Sequence, residues 1–368
     1  MGYKRMDDRA KAERELLKMR YVRPYSPEES KAIGKYKDGT FGVSNLAFAL
    51  YSNGRNARGK SLERPFGLMY EDGSTLFSIG YFKKEHDSED APGYVLIVAP
   101  RGKHAIQRIV EIAERALHDD SIPCAGVYAR FLALDQYLEL LGEGFLPVKE
   151  SPWHPEAPEE DETYTHSIVT IDDLLADSEG IDVKVIPGLS QNSRRKARDN
   201  YERFRNFLER NQMEYELCEL TDTRIEAART VIGAHFGMLA QKGKAIGSTP
   251  EDHQNSLDFR MLALPDVLAY VGYLDGQPVS VFVGEWVSPN RFALYTPFTL
   301  RDVRVVEVQD EVGVTALPLY AYVRLFSQLR QRGIAEVHLG GSELPDLNVF
   351  KRRLGGKNDP SYWAVRLK

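Results

Sequence analysis

The sequence predicts an α/β (α+β) protein of two lobes in tandem, each a mixed twisted sheet flanked by helices. Three observations predict it. The order hairpin, strand, helix, strand, helix, strand precedes residue 150, and helix, three strands, helix, strand, helix, strand follows residue 220. Between them, Glu150–Asp182 holds eleven acidic residues and no Lys or Arg, with Pro152, Pro155 and Pro158 breaking its first half. Near the end, Ala335–Gly355 reads as strand, glycine turn and capped helix. The lobes are expected at 1–175, including an N-terminal arm, and 176–368, which carries the candidate active site.

Composition bounds the function. A chain of 368 residues, 42% apolar and 28% charged, can bury two cores. The net charge of −6 excludes a generally basic nucleic-acid coat but leaves room for a local basic patch. Cys124 and Cys218 make neither a disulfide framework nor a metal set, so no metal is expected. A reducing cytoplasm fits that cysteine usage. No run approaches the roughly 18 apolar residues of a membrane span, and the charged N-terminus lacks a signal core. A cytoplasmic location without an integral membrane segment is therefore expected.

In the first lobe, Asp8–Arg20 reads as an amphipathic helix stopped by Pro24 and Pro27. Thr40–Tyr51 has no polar face after Asn45 and is expected to be buried. Gly54, Gly59, Lys60 and Ser61 match the spacing of a nucleotide-binding P-loop. Pro65 and Gly67 oppose the helix such a loop must enter, so a solvated basic loop without ATPase activity is expected. Phe66–Phe82 reads as a hairpin turning at Asp72-Gly73, and Tyr94–Ala99 as a buried strand. Ala105–Leu117 follows as a helix, then Ile122–Tyr128 as a strand, Leu132–Leu141 as a helix and Phe145–Lys149 as a strand.

In the second lobe, Ser193 caps a helix with seven Lys or Arg against three acids. Arg194, Arg198, Tyr201 and Arg205 are expected near one face, with Phe204, Phe207 and Leu208 on another. A phosphate contact competes there with i,i+4 pairs such as Arg205 with Glu209. Asp222–Gln241 reads as a long helix, Asp266–Val287 as a hairpin turning at Asp275-Gly276, and Phe292–Phe298 as a strand. Leu319–Leu329 is a helix leading into the strand Ala335–Leu339. Gly340-Gly341 ends that strand, Ser342 caps the next helix with Pro345 in its first turn, and Leu347, Phe350 and Leu354 recur at helical spacing. Lys351, Arg352 and Arg353 point about 100° apart, so at most two face a site. Ser361–Leu367 is expected as the last strand of this lobe.

Leu339-Gly340-Gly341-Ser342-Glu343, then Phe350-Lys351, resembles the end of the last lobe in the FemABX peptidyltransferases and in the family around the C-terminal domain of phosphatidylglycerol lysyltransferase. These are acyltransferases with a GNAT-like fold that take activated aminoacyl groups. The basic helix after residue 190 and the Thr-Phe segment at residue 40 resemble the same family. The resemblance implies tandem GNAT-like lobes and an aminoacyl group moved from aminoacyl-tRNA to an amine or hydroxyl of a small molecule or peptide. Lys351, at the family's Phe-Lys position, would stabilise charge near the ester or a phosphate.

Beside it, Glu285 on the strand VFVGEWV is the expected general base. His338, alternating with Val337 and Leu339, reads as structural. Ser342, Glu343, Arg352 and Tyr295 are expected to contact substrate, and Arg194, Arg198 and Arg205 tRNA phosphates. No cofactor is expected, with aminoacyl-tRNA as co-substrate. Thr299–Pro318 holds one glycine, Gly313, so a CoA pyrophosphate would find no run of free N–H groups there. Two alternatives stand: an acyl-CoA-dependent N-acyltransferase using the first lobe's Arg101-Gly102, and a catalytically silent module that binds nucleic acid or protein.

Overall fold

The structure, a computed structural model, describes residues 5–51, 67–83, 91–148, 166–175, 191–241, 250–300, 316–341 and 345–368. The Gly54–Ser61 stretch, the Ser342-Glu343 link and most of Thr299–Pro318 lie outside the described residues. In chain order the strands are β1 (Val22–Pro24), β2 (Leu68–Glu71), β3 (Thr75–Phe82), β4 (Gly93–Gly102), β5 (Cys124–Leu132), β6 (Leu146–Pro147) and β7 (His166–Thr170). They continue as β8 (Tyr215–Glu219), β9 (Val267–Leu274), β10 (Gln277–Ser288), β11 (Arg291–Thr299), β12 (Glu336–Gly341), β13 (Lys357–Asp359) and β14 (Tyr362–Leu367). The principal helices are α1 (Arg5–Leu16), α2 (Asn45–Tyr51), α3 (Ala105–His118), α4 (Leu134–Gly142), α5 (Gln191–Asn211), α6 (Ile225–Gln241), α7 (Leu317–Gln331) and α8 (Pro345–Arg353).

The chain divides into two compact units, each built on one seven-stranded mixed sheet. The first sheet has the order β1-β2-β3-β4-β5-β14-β6, and the second β8-β9-β10-β11-β12-β7-β13. In each, the first four strands run antiparallel, the fourth and fifth pair in parallel, and the last two are antiparallel again. The two orders match position for position, so the expected repeat of one layered α/β pattern is present.

The expected boundary at residues 175 and 176 is not. The first unit comprises Met1–Thr165, Ile246–Ser256 and Pro360–Lys368, and the second His166–Ala245 and Leu257–Asp359. Strand β14, expected in the second lobe, pairs with β5 and β6 in the first sheet. Strand β7, expected in the first, pairs with β12 and β13 in the second. The first sheet thus takes its sixth strand from beyond the second unit in sequence, whereas the sixth strand of the second sheet opens that unit's own stretch of chain. Strand pairing is set by register and burial rather than by chain neighbourhood, and composition carries no sign of it.

The first core places Phe77, Ile79, Val95, Ile97 and Val127 of the sheet against Ile109, Ile112, Ala113 and Ala116 of α3. The second places Phe282, Phe292, Leu294, Val337 and Leu339 against α5 and α7. Tyr201 of α5 belongs to that core, 4% exposed, its ring stacked 5.3 Å from Tyr320 of α7. It does not stand with the arginines: the buried stripe of α5 runs through Ala197, Tyr201, Phe204, Phe207 and Leu208, while Arg198 and Arg205 are exposed. The other face of the second sheet carries α6, whose His235 and Phe236 rings meet Phe298 at 4.5 and 5.5 Å.

Candidate active site

β11 and β12 form the parallel pair at the centre of the second sheet. They are in register at Arg291–Ala293 with Glu336–His338, and at no further position among the described residues. Yet β11 runs on to Thr299 and β12 to Gly341. Past the row of Ala293 and His338 the two strands leave their common ladder.

The row at which they part is chemically loaded. Glu285 of β10 is in register with Ala293, and Ala293 with His338. In-register neighbours project from the same side of a sheet, so Glu285 and His338 share a face with only the methyl of Ala293 between them. Two strand spacings set their backbones about 10 Å apart. Both side chains are buried at 0% exposure. The face is the one opposite the α5–α7 core, because Phe292, Leu294, Val337 and Leu339 alternate with these residues.

Tyr295 enters the same neighbourhood through an irregularity. Val283 is in register with Thr296 and Gly284 with Leu294, which leaves Tyr295 as the extra residue of a β-bulge. The bulge needs Gly284: a Cβ there would lie 2.3 Å from Cε1 of Phe292 and 2.5 Å from the Ala293 carbonyl oxygen. Tyr295 is 4% exposed.

At the end of β12 the sequence-predicted lysine does something the spacing did not suggest. Lys351 is 5% exposed, and its ammonium donates to the Gly340 carbonyl at 2.9 Å and also to the Gly341 carbonyl. It braces the glycine pair. Gly340 itself has φ 68, a left-handed backbone that favours glycine. Its N–H donates to Nδ1 of His338 at 3.1 Å. The ring's Nε2 lies 3.4 Å from Oδ2 of Asp359, and the His166 ring stands edge-on 5.0 Å away. Burial lowers the His338 pKa below the ordinary imidazole value, with Asp359 pulling the other way and Arg291 and Lys351 adding to the lowering. His338 is therefore neutral, and sequence reasoning missed its connections. The one available signal was a histidine two residues before a glycine pair.

The remaining expectations divide. Arg352 is exposed on α8, beside the buried Lys351. Arg198 and Arg205 are exposed on α5, but each faces a carboxylate one turn on, Glu202 at 2.8 Å and Glu209 at 3.8 Å. Arg194 lies in α5 with its side chain outside the description, as Ser342 and Glu343 are entirely. No group of three His, Cys, Asp or Glu side chains among the described residues could hold a metal ion.

In the first unit, Arg101-Gly102 is no loop. Both residues belong to β4, where Gly102 is in register with Thr75 and a Cβ on it would fall 1.9 Å from the Ser74 carbonyl oxygen. Arg101 is bound to Asp38 at 2.7 Å and to the Pro100 carbonyl at 2.7 Å. These residues offer no phosphate cradle.

The sequence matches no protein-family model. No curated protein matches it either. Solved structures do resemble it. A conserved protein of unknown function from Bacteroides thetaiotaomicron aligns over 95% of this chain and 100% of its own, with 13% identity and a TM-score of 0.58. FemX aligns over 94% of this chain and 97% of its own, with 10% identity and a TM-score of 0.55. L-PGS from Bacillus licheniformis aligns over 93% and 92%, with 12% identity and a TM-score of 0.54. At such identities the likeness is one of fold. The chain has the two-lobed GNAT-like architecture expected from its sequence, and it shares that architecture with FemX and L-PGS. No helix among the described residues is long and apolar enough to cross a membrane.

Proposed function

We propose that this chain is an acyltransferase that moves an activated aminoacyl group, supplied as aminoacyl-tRNA, to an amine or hydroxyl acceptor. The observation that carries the reading is the parting of β11 from β12 beside buried Glu285, Tyr295 and the Lys351-braced glycine pair. An extended acyl chain can enter between the parted strands. The ester carbonyl carbon then takes the acceptor's lone pair, its oxygen becomes an oxyanion, and the tRNA ribose oxygen leaves with a proton. Glu285 serves as the base that takes the acceptor's proton, and the Lys351 ammonium supplies positive potential to the oxyanion. Tyr295 and Arg352 contribute the walls. Water exclusion by the buried row strengthens both effects.

The donor is chosen on the sequence of Thr299–Pro318, which has a single glycine, and on the tied Arg101, which removes support from an acyl-CoA site in the first unit. FemX and L-PGS share the fold but lend this chain no substrate. The exposed arginines of α5 are candidate phosphate partners. Their pairs with Glu202 and Glu209 are surface pairs worth at most about 1 kcal/mol, so a phosphate can displace the carboxylates.

The test is transfer of a labelled aminoacyl group from a mixed aminoacyl-tRNA pool to hydroxylamine as a surrogate acceptor, with acetyl-CoA in parallel. Transfer from tRNA that Glu285→Gln reduces at least tenfold in kcat is the expected result. Transfer from acetyl-CoA alone would establish the alternative donor. RNA binding without any transfer would establish the silent module. Arg198→Ala with Arg205→Ala should flatten the salt dependence of tRNA binding by roughly two counterions.

A further inference from the structure

The backbone of Gly340 is held on both sides of its Cα. The N–H, in the Leu339–Gly340 peptide, is bound by His338 Nδ1 at 3.1 Å, and the carbonyl, in the Gly340–Gly341 peptide, by Lys351 Nζ at 2.9 Å. An imidazole nitrogen accepts a hydrogen bond only when it carries no proton, so the proton of the neutral ring sits on Nε2. That nitrogen faces Asp359, a part-exposed carboxylate 3.4 Å away on β13. Asp359, His338, Gly340 and Lys351 thus form one polar chain from the surface to a buried ammonium.

We infer that His338 is a positioning residue for Lys351: with Nδ1 bare it fixes the Gly340 carbonyl that grips the ammonium, and protonation of the ring releases that grip. The inference rests on the reading of Lys351 as part of the acyl-transfer site. A proton on Nδ1 would face the Gly340 N–H, donor against donor. The Leu339–Gly340 peptide then turns away, and because glycine accepts a wide range of φ, the next peptide plane, which carries the Gly340 carbonyl, is no longer fixed in direction. Lys351 then loses one of the two carbonyls that hold it. The groups that set the titration face the ring from every neighbouring element: Asp359 from β13, Arg291 from β11, Lys351 from α8 and His166 from β7. Glu336 on the same strand is bound to Arg291 at 2.9 and 2.7 Å, and Glu285 lies in the same row two strands over.

The deciding experiment needs no substrate. Nitrogen NMR of labelled histidines reads the tautomer and the titration of His338, and amide hydrogen exchange at Gly340 reads the lock. The expected result is an Nε2–H tautomer in mildly alkaline buffer. Protection at Gly340, corrected for intrinsic exchange, falls roughly tenfold as the ring titrates. The titration lies below the ordinary value of 6.5. His338→Asn sets an amide oxygen near the place of Nδ1 and should keep protection at all pH values. Asp359→Asn, at a part-exposed site that leaves the core intact, should move the titration further down, because the carboxylate favours the imidazolium. An Nδ1–H tautomer, or Gly340 protection indifferent to the His338 titration in both the wild type and Asp359→Asn, overturns the inference. If transfer assays fail while tautomer and exchange behave as stated, the proposed function is lost and the lock stands. If transfer is found without the lock, the reverse holds.

Discussion

Single residues carry the site, and Lys351 shows how far a sequence can be read. Its position after Phe350 was legible. Its partners were not, because they are the backbone carbonyls of Gly340 and Gly341, which have no side-chain signature. The structure changes what its replacement should do. Lys351→Ala strips the donor from two carbonyls, and an unsatisfied buried acceptor costs about 1–3 kcal/mol. The variant should lose about that much stability in urea titration, in addition to any loss of turnover. An unchanged midpoint would mean that water replaces the ammonium without cost. His338 adds a pH dependence of folding. Its folded pKa is lowered, so its contribution is complete above the unfolded value of 6.5 and is lost as pH falls towards the folded pKa. His338→Asn should flatten that part of the stability profile, and a profile identical to the wild type below 6.5 would contradict the burial seen here.

Among elements, those with strong local period were read well. Helix α3 was expected over Ala105–Leu117 and runs Ala105–His118. The Asp275-Gly276 turn lies where it was expected, with φ 47 and 78. Strand β8 gave no signal: YELCE mixes buried, intermediate and exposed positions without clear alternation. Strand β13 is three residues long, too short to show a period. Two element-level outcomes follow. Gly284→Ala must force the Phe292 ring and the Ala293 backbone apart, and overpacking of this kind costs about 1–3 kcal/mol. Gly233, exposed inside α6 with nothing within 4 Å of its would-be Cβ, should gain from Ala by up to about 1 kcal/mol. Thermal denaturation of the pair should move in opposite directions, and a shared sign would refute the packing described at the bulge. At the turn between β2 and β3, burial raises the Asp72 pKa, but hydrogen bonds from Ser74 and Tyr70 outweigh it and hold the group at about 2. Its stabilising effect is present above the ordinary value of 3.8 and lost as pH falls towards 2. Asp72→Ala should blunt the acid limb of unfolding in that window, measured by circular dichroism.

For the whole molecule, the decisive feature is the return of β14 to the first sheet, which the order of elements alone could not reveal. Removal of Pro360–Lys368 takes β14 out from between β5 and β6 and strips Ala364 from the first core. The truncated chain should be cut by protease within Met1–Thr165 at a dose the full chain survives, and cuts confined to the second unit would show the first sheet to be complete without its sixth strand. The same feature bears on how a ribosome delivers this protein. β5 ends at Leu132 and β14 begins at Tyr362. At about 5–20 residues per second, tens of seconds separate their emergence. Throughout that interval the first sheet waits with an open edge beside β5, and the gap is filled only once β14 has been made. Such an edge invites other strands. A stop codon anywhere before Tyr362 therefore damages the half of the protein that was made first.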